Sequence, residues 1–201
     1  EITYGDWSSD VCSSDLAWQD DAWAARYRRM VQRVIEREAA WGGTTAGQGP
    51  LARVVATALA RLMAYKDEYE VARLLTDPSF LASINETFES VERVEFHLHP
   101  PLLRRFGLKR KLTLGSWTRP LLRALAAMRW LRGTPLDLFG YSSHRRMERS
   151  LVDWYCGVVD QAMTLDDSTA RTLCELPGEI RGYEGLKEAS AKLAMESARV
   201  V

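Results

Sequence analysis

His97 and His99 put two imidazoles on one face of an extended segment, a spacing that can hold a metal ion. No third ligand is spaced to complete the set and Pro100-Pro101 follows at once, so the pair better suits a polar face at the edge of a small sheet than a metal site. In Met63–Arg73, Asp67 and Glu70 are spaced to act as general acid and base, without a nucleophile or metal signature beside them. On a continuous helix Lys66 faces Glu70 and Tyr65 lies near Tyr69, and solvated i,i+4 pairs account for the same charges. A third cluster, Ser142–Arg149, gathers Arg145, Arg146 and Arg149 around Glu148. Guanidinium forks at a helix start suit a carboxylate or phosphate, and they suit equally a buried Arg–Glu network that joins helices. His144, beside Arg145 and Arg146, fits a solvated basic face. Cys156 and Cys174 stand eighteen residues apart with no CxxC pair, which suits two buried small hydrophobes. Neither a P-loop nor a Gly-x-Gly-x-x-Gly turn is present.

The elements that must position these groups are mostly helical. Asp20–Ala40 carries Trp23, Tyr27, Met30, Val31, Val34 and Ile35 at three- and four-residue steps, the stripe of an amphipathic helix. Residues 42–50, rich in glycine, predict a flexible linker. A second helix is expected from about Leu51 to Leu75, and Asp77-Pro78 reads as a cap and first turn of a third. Val94, Phe96 and Leu98 then alternate with Arg93, Glu95 and His97, the period of a half-buried strand over Val91–His99. Lys109–Leu114 alternates in the same way, so a small antiparallel hairpin is expected near 91–114. Helices return at Thr118–Leu131, closed by Gly133, and after Ser142 or Ser143. A short helix follows Asp166 or Asp167, and a last helix from about Tyr183 pairs back as a helical hairpin. The expected class is mainly α with a small antiparallel β-hairpin (α+β), a helical bundle-like domain over 51–201 preceded by an N-terminal helix at 17–41.

Composition narrows the function classes. With 46% hydrophobic and 27% charged residues, the chain has the make-up of a folded protein rather than a disordered one. Twenty-seven basic residues balance twenty-seven acidic ones, so bulk charge does not point to nucleic acid or an anionic membrane. The basic stretch Arg104–Lys111 lacks the series of interleaved aromatics on which bases stack. No apolar run reaches the roughly 18 residues of a membrane span. Three scattered cysteines, Cys12, Cys156 and Cys174, favour a reducing compartment, and the expectation is a cytoplasmic protein.

The first sixteen residues stand apart. Asp6–Leu16 has no helical or strand periodicity and resembles, residue for residue, a translated sequencing-library adapter. Residues 1–16 are expected to be disordered and foreign to the fold, with the native sequence starting near Ala17 and continuing from missing upstream domains. Without them the remainder has 27 basic against 23 acidic residues.

Four segments carry a family resemblance. They are LMAYKDEYEVARL (Leu62–Leu74), FHLHPPLL (Phe96–Leu103), RGTPLDLFGYSSHRRMER (Arg132–Arg149) and LPGEIRGY (Leu176–Tyr183). In this order they resemble the C-terminal region of the long, fused form of indolepyruvate ferredoxin oxidoreductase, and the resemblance covers essentially all of Ala17–Val201. In that family the position of His99 usually holds a smaller residue, which counts against a histidine metal site. The resemblance implies a parent that oxidatively decarboxylates aryl 2-oxoacids with coenzyme A and ferredoxin, using thiamine diphosphate and iron–sulfur clusters. Those cofactor motifs belong to upstream domains, so no catalytic, cofactor or metal residue carries over to this fragment. What it implies here is a segment that covers, orients or dimerises the catalytic domains of the same chain, a homodimer being one such arrangement. Tyr65, Lys66, Asp67, Tyr69 and Glu70, with Arg145, Arg146, Glu148 and Arg149, are the residues expected at that interface. The alternative is a free-standing helical protein-interaction module without enzymatic activity.

Overall fold

The computed structural model describes residues 18–42, 49–90, 94–98, 112–182 and 185–200. They form two compact units: Glu1–Tyr65 with Ser142–Val201, and Lys66–Tyr141 between them in sequence. The adapter-like 1–16, most of the expected linker, and His99 lie outside the described residues.

The first unit contains α1 (Asp21–Ala40), α2 (Pro50–Met63), α6 (Ser143–Ala162), α7 (Asp167–Glu175) and α8 (Gly185–Val200). Asp20 caps α1 by accepting from the Trp23 amide at 2.8 Å. The expected stripe is what α1 buries: Tyr27, Met30, Val31, Val34 and Ile35. It meets Leu51, Val55, Leu59 and Met63 of α2 and Leu151, Val152 and Tyr155 of α6 in one core with Leu173 of α7. Each such side chain contributes about 1.5–3 kcal/mol on full burial. The buried Tyr155 hydroxyl donates to the Cys174 carbonyl at 2.9 Å. Ser142 and Asp166 cap α6 and α7, as their sequence positions predict. The 3₁₀ turn Leu176–Glu179 closes α7, and α8 packs on that turn and on α6.

The start of α2 is organised by a residue of α1. Pro50 occupies the first turn, where its missing N–H costs nothing. The amides of Leu51 and Ala52 donate at 3.0 and 3.1 Å to the two oxygens of Glu38, a buried carboxylate. Gly49 has no side-chain cap to offer, but a Cβ there would stand 1.9–2.3 Å from the Glu38 carboxyl group.

The second unit contains α3 (Glu68–Thr76), α4 (Pro78–Thr87), β1 (Phe96–Leu98), β2 (Leu112–Leu114) and α5 (Arg119–Ala127), with 3₁₀ turns at Ser116–Thr118 and Met128–Leu131. Its described apolar cluster is small: Ala72, Leu122 and Ala126, with Leu75, Val94 and Leu125 against it.

Two expectations are corrected here. The α+β class does not hold, because the chain is helical. Of the two expected strands, only three residues each lie side by side, with His97 opposite Thr113, and such a ladder forms no layer of the fold. Alternation along Val91–His99 overstated it, since a two-stranded ribbon of three residues a side is marginal by itself and adds no sheet to the fold. The expected helix Leu51–Leu75 is also broken. α2 stops at Met63, and α3 starts after Asp67, whose carboxylate accepts from the Glu70 amide at 2.8 Å. An aspartate that caps outcompetes the apolar period that runs through it.

Gly49→Ala is expected to push the Glu38 carboxylate off the α2 amides and destabilise the protein by about 1–3 kcal/mol. Thermal unfolding followed by circular dichroism measures this, and an unchanged midpoint would refute the role given to Glu38.

Candidate functional site

The second unit places Asp67, Tyr69 and Glu70 in one polar cluster, but not by the pairing that a continuous helix implies. Lys66 lies outside α3 and is exposed, so it does not face Glu70 across a helical turn. Glu70 instead takes Arg73 through two bonds of 2.7 and 2.9 Å. Asp67 receives the Arg132 guanidinium on both oxygens, at 2.6 and 2.8 Å, with both side chains withdrawn from solvent. A planar fork on a carboxylate is the geometry that best offsets the cost of burying two charges. The same guanidinium lies 5.5 Å from the centre of the Tyr69 ring, and Phe139 meets that ring edge-on at 5.1 Å.

Arg132 and Asp137 are the members of this cluster that sequence reasoning missed. Asp137 is buried and accepts the Gly133 amide at 3.1 Å, the Gly140 amide at 3.0 Å and the Tyr69 hydroxyl at 3.3 Å. Gly133 has φ +73°, a conformation that favours glycine. The signal available was an aspartate inside a Gly/Pro-rich turn, where carboxylates commonly collect backbone amides. Burial first, then the Asp137 charge, pushes Tyr69 ionisation above the usual tyrosine range. Tyr69 therefore holds its proton at neutral pH and serves as a donor.

In the first unit, Tyr65 meets the edge of Trp18, whose indole donates to the Tyr65 carbonyl at 2.9 Å. The Tyr65–Tyr69 stack expected from a continuous helix is thus replaced by separate partners for each ring. Arg145 lies 6.0 Å from the Tyr65 ring centre. Glu148 is buried and takes Lys187 of α8 at 2.6 Å and His144 at 3.2 Å, with Arg145 at 3.9 Å. Of the two readings of Ser142–Arg149, the network joining helices is the one formed, with a lysine as the joining cation. Ser142 already occupies the Arg145 amide at 3.2 Å, and the Glu148 charge opposes an added anion. Arg146 is exposed and Arg149 half-buried.

A groove of about 320 Å³ in the same unit is lined by Arg53, Thr57, Arg61, Cys174 and Glu175 among others. Its nucleophile is inert: burial pushes the Cys174 thiol up to about 12, and Arg61 is turned to the Pro177 carbonyl. Burial raises Cys156 as well. Among the described residues, no three His, Cys, Asp or Glu side chains cluster to hold a metal. Among the same residues, no helix is long and apolar enough to cross a membrane. The site geometry is therefore that of charge and hydrogen-bond locks inside each unit.

A family model matches residues 13–199, nearly the whole chain and including the last residues of the adapter-like stretch. The chain belongs to DUF6537, a family of unknown function. Nothing among curated proteins or solved structures matches it. In this DUF6537 chain, the locks just described are the features that any function must be built around.

Two measurements test these locks. Arg132→Ala leaves Asp67 buried without its partner and is expected to cost about 3–5 kcal/mol in urea unfolding; a loss under about 1 kcal/mol would mean that the pair is solvated. The raised ionisation of Tyr69, Tyr155 and Cys174 means that the folded chain holds these protons more tightly than the unfolded chain, where the thiol titrates near 9.0 and the phenols near 10.0. Their contribution is complete below pH 9 and is lost as pH rises from there through about 12. Unfolding free energies measured across pH 8–12 should hold level to about pH 9 and fall from there, and a flat profile throughout would contradict the burial of these groups.

Proposed function

We propose that this chain is the non-catalytic C-terminal part of a 2-oxoacid:ferredoxin oxidoreductase acting on aryl pyruvates such as indolepyruvate. The parent would convert 2-oxoacid, coenzyme A and oxidised ferredoxin to acyl-CoA, carbon dioxide and reduced ferredoxin. Its thiamine diphosphate and iron–sulfur clusters would sit in upstream domains, and the protein would work in the cytoplasm. One observation supports this reading most: the segments that resemble the oxidoreductase spend their polar side chains internally. Asp67 of Leu62–Leu74 holds Arg132 of Arg132–Arg149, and Glu148 of the latter holds Lys187. Residues committed in this way stabilise a covering or orienting segment rather than a reacting centre.

A second reading, a free-standing interaction module, draws on the large apolar side chains that the second unit leaves in solvent, Trp117 and Trp130 among them. The two readings differ in the gene. Long-read sequencing across the source locus should show an open frame running upstream of Ala17 into thiamine-binding and cysteine-cluster motifs. The protein made from that frame should reduce ferredoxin with indolepyruvate and coenzyme A, while the 201-residue chain alone should not. A start codon close to Ala17, or a long frame inactive on every aryl pyruvate, would sink the oxidoreductase reading.

A further inference from the structure

Two helices of the second unit keep an apolar stripe in solvent. On α4 and the residue that ends it, Phe80, Ile84 and Phe88 recur at four-residue steps. Phe80 is 40% and Phe88 59% exposed. Along α5 and its flanking turns, Trp117, Leu121 and Met128 recur at steps of four and seven and are 77%, 68% and 43% exposed. The face that α5 does bury carries Leu122 and Ala126 instead. A stripe of this size on each of two helices exceeds the scattered exposure of a finished surface.

Charge separates along the same two elements. α4 and the two residues after it carry Glu86 and Glu89 and no Lys or Arg, whereas α5 carries Arg119 and Arg123 and no acid. Glu86 and Glu89 stand exposed beside the α4 stripe, and Arg123 is exposed on α5. The one acid that follows closely, Asp137, is buried and bonded within its own turn. Both stripes are exposed within one copy, so they do not cover each other there. An anionic bilayer or an acidic protein would complement α5 and leave the acidic α4 stripe in water. A second copy complements both at once.

We propose that a second copy of this chain covers these stripes, with the acidic, phenylalanine-bearing face of α4 in one copy against the basic, tryptophan-bearing face of α5 in the other. Two-fold symmetry makes the two contacts equivalent and closes the assembly at a dimer. The contact does not depend on the activity of any parent enzyme.

The whole chain is examined by analytical ultracentrifugation from about 1 to 100 µM, at low salt and at about 0.5 M salt. A dimer is expected at low salt, with the dissociation constant at least about tenfold higher at high salt. Glu86→Arg with Glu89→Arg, and separately Arg123→Glu, should each be monomeric. Mixed in equal amounts, the two reversed variants regain both complementary contacts and should dimerise. Phe88→Asp and Leu121→Asp, at exposed positions, should also give folded monomers by circular dichroism. A chain that stays monomeric throughout overturns the proposal, whether α5 then binds acidic phospholipid vesicles or another protein. A dimer that survives both charge reversals and both aspartate substitutions overturns it as well.

Discussion

The second unit rests on one buried ion pair. Asp67 does two jobs with one carboxylate, capping α3 through the Glu70 amide and taking both forks of Arg132. Among the described residues, the apolar cluster centred on Ala72, Leu122 and Ala126 is too small to specify the unit by burial alone. Polar geometry supplies what packing does not, because an unpaired charge in that position costs far more than the pair returns. Tyr69 extends the lock: its ring lies by the Arg132 guanidinium and its hydroxyl reaches Asp137, which gathers the turn around Gly133 and Gly140. Together these contacts make a chain of satisfied groups with strong directional preference.

The first unit is stabilised in the opposite way. Its core is broad, running through α1, α2, α6 and α7, and its buried charges sit at the margins. Glu38 settles the start of α2, and Glu148 ties α6 to α8 through Lys187. Glu38 meets amides at a helix start that would otherwise lack partners. In both units, then, the residues most suggestive of chemistry are consumed by structure.

What the sequence made legible follows the range of the interaction concerned. The α1 stripe, the Asp77, Ser142 and Asp166 caps and the closing Gly133 depend on neighbours a few residues away, and all were readable. The break between α2 and α3 was not, because Leu59, Leu62 and Met63 keep a helical period up to the point where Asp67 caps the next helix. Neither was Arg132, which gains its meaning from a carboxylate sixty-five residues earlier. Alternation near β1 misled for the converse reason: period two marks a strand only where a second layer exists to bury one face.

The nesting of the two units also orders their assembly on the ribosome. α1 and α2 are made before Lys66–Tyr141, but α6, α7 and α8, which share their core, follow only after the whole of that segment has been translated. At typical elongation rates that interval lasts on the order of ten seconds. During it the second unit can close, since Arg132 emerges before Ser142, while the apolar faces of α1 and α2 wait. Until α6 and α7 arrive, the apolar faces of α1 and α2 have only each other for cover, so the core of the first unit is completed by its last-made helices.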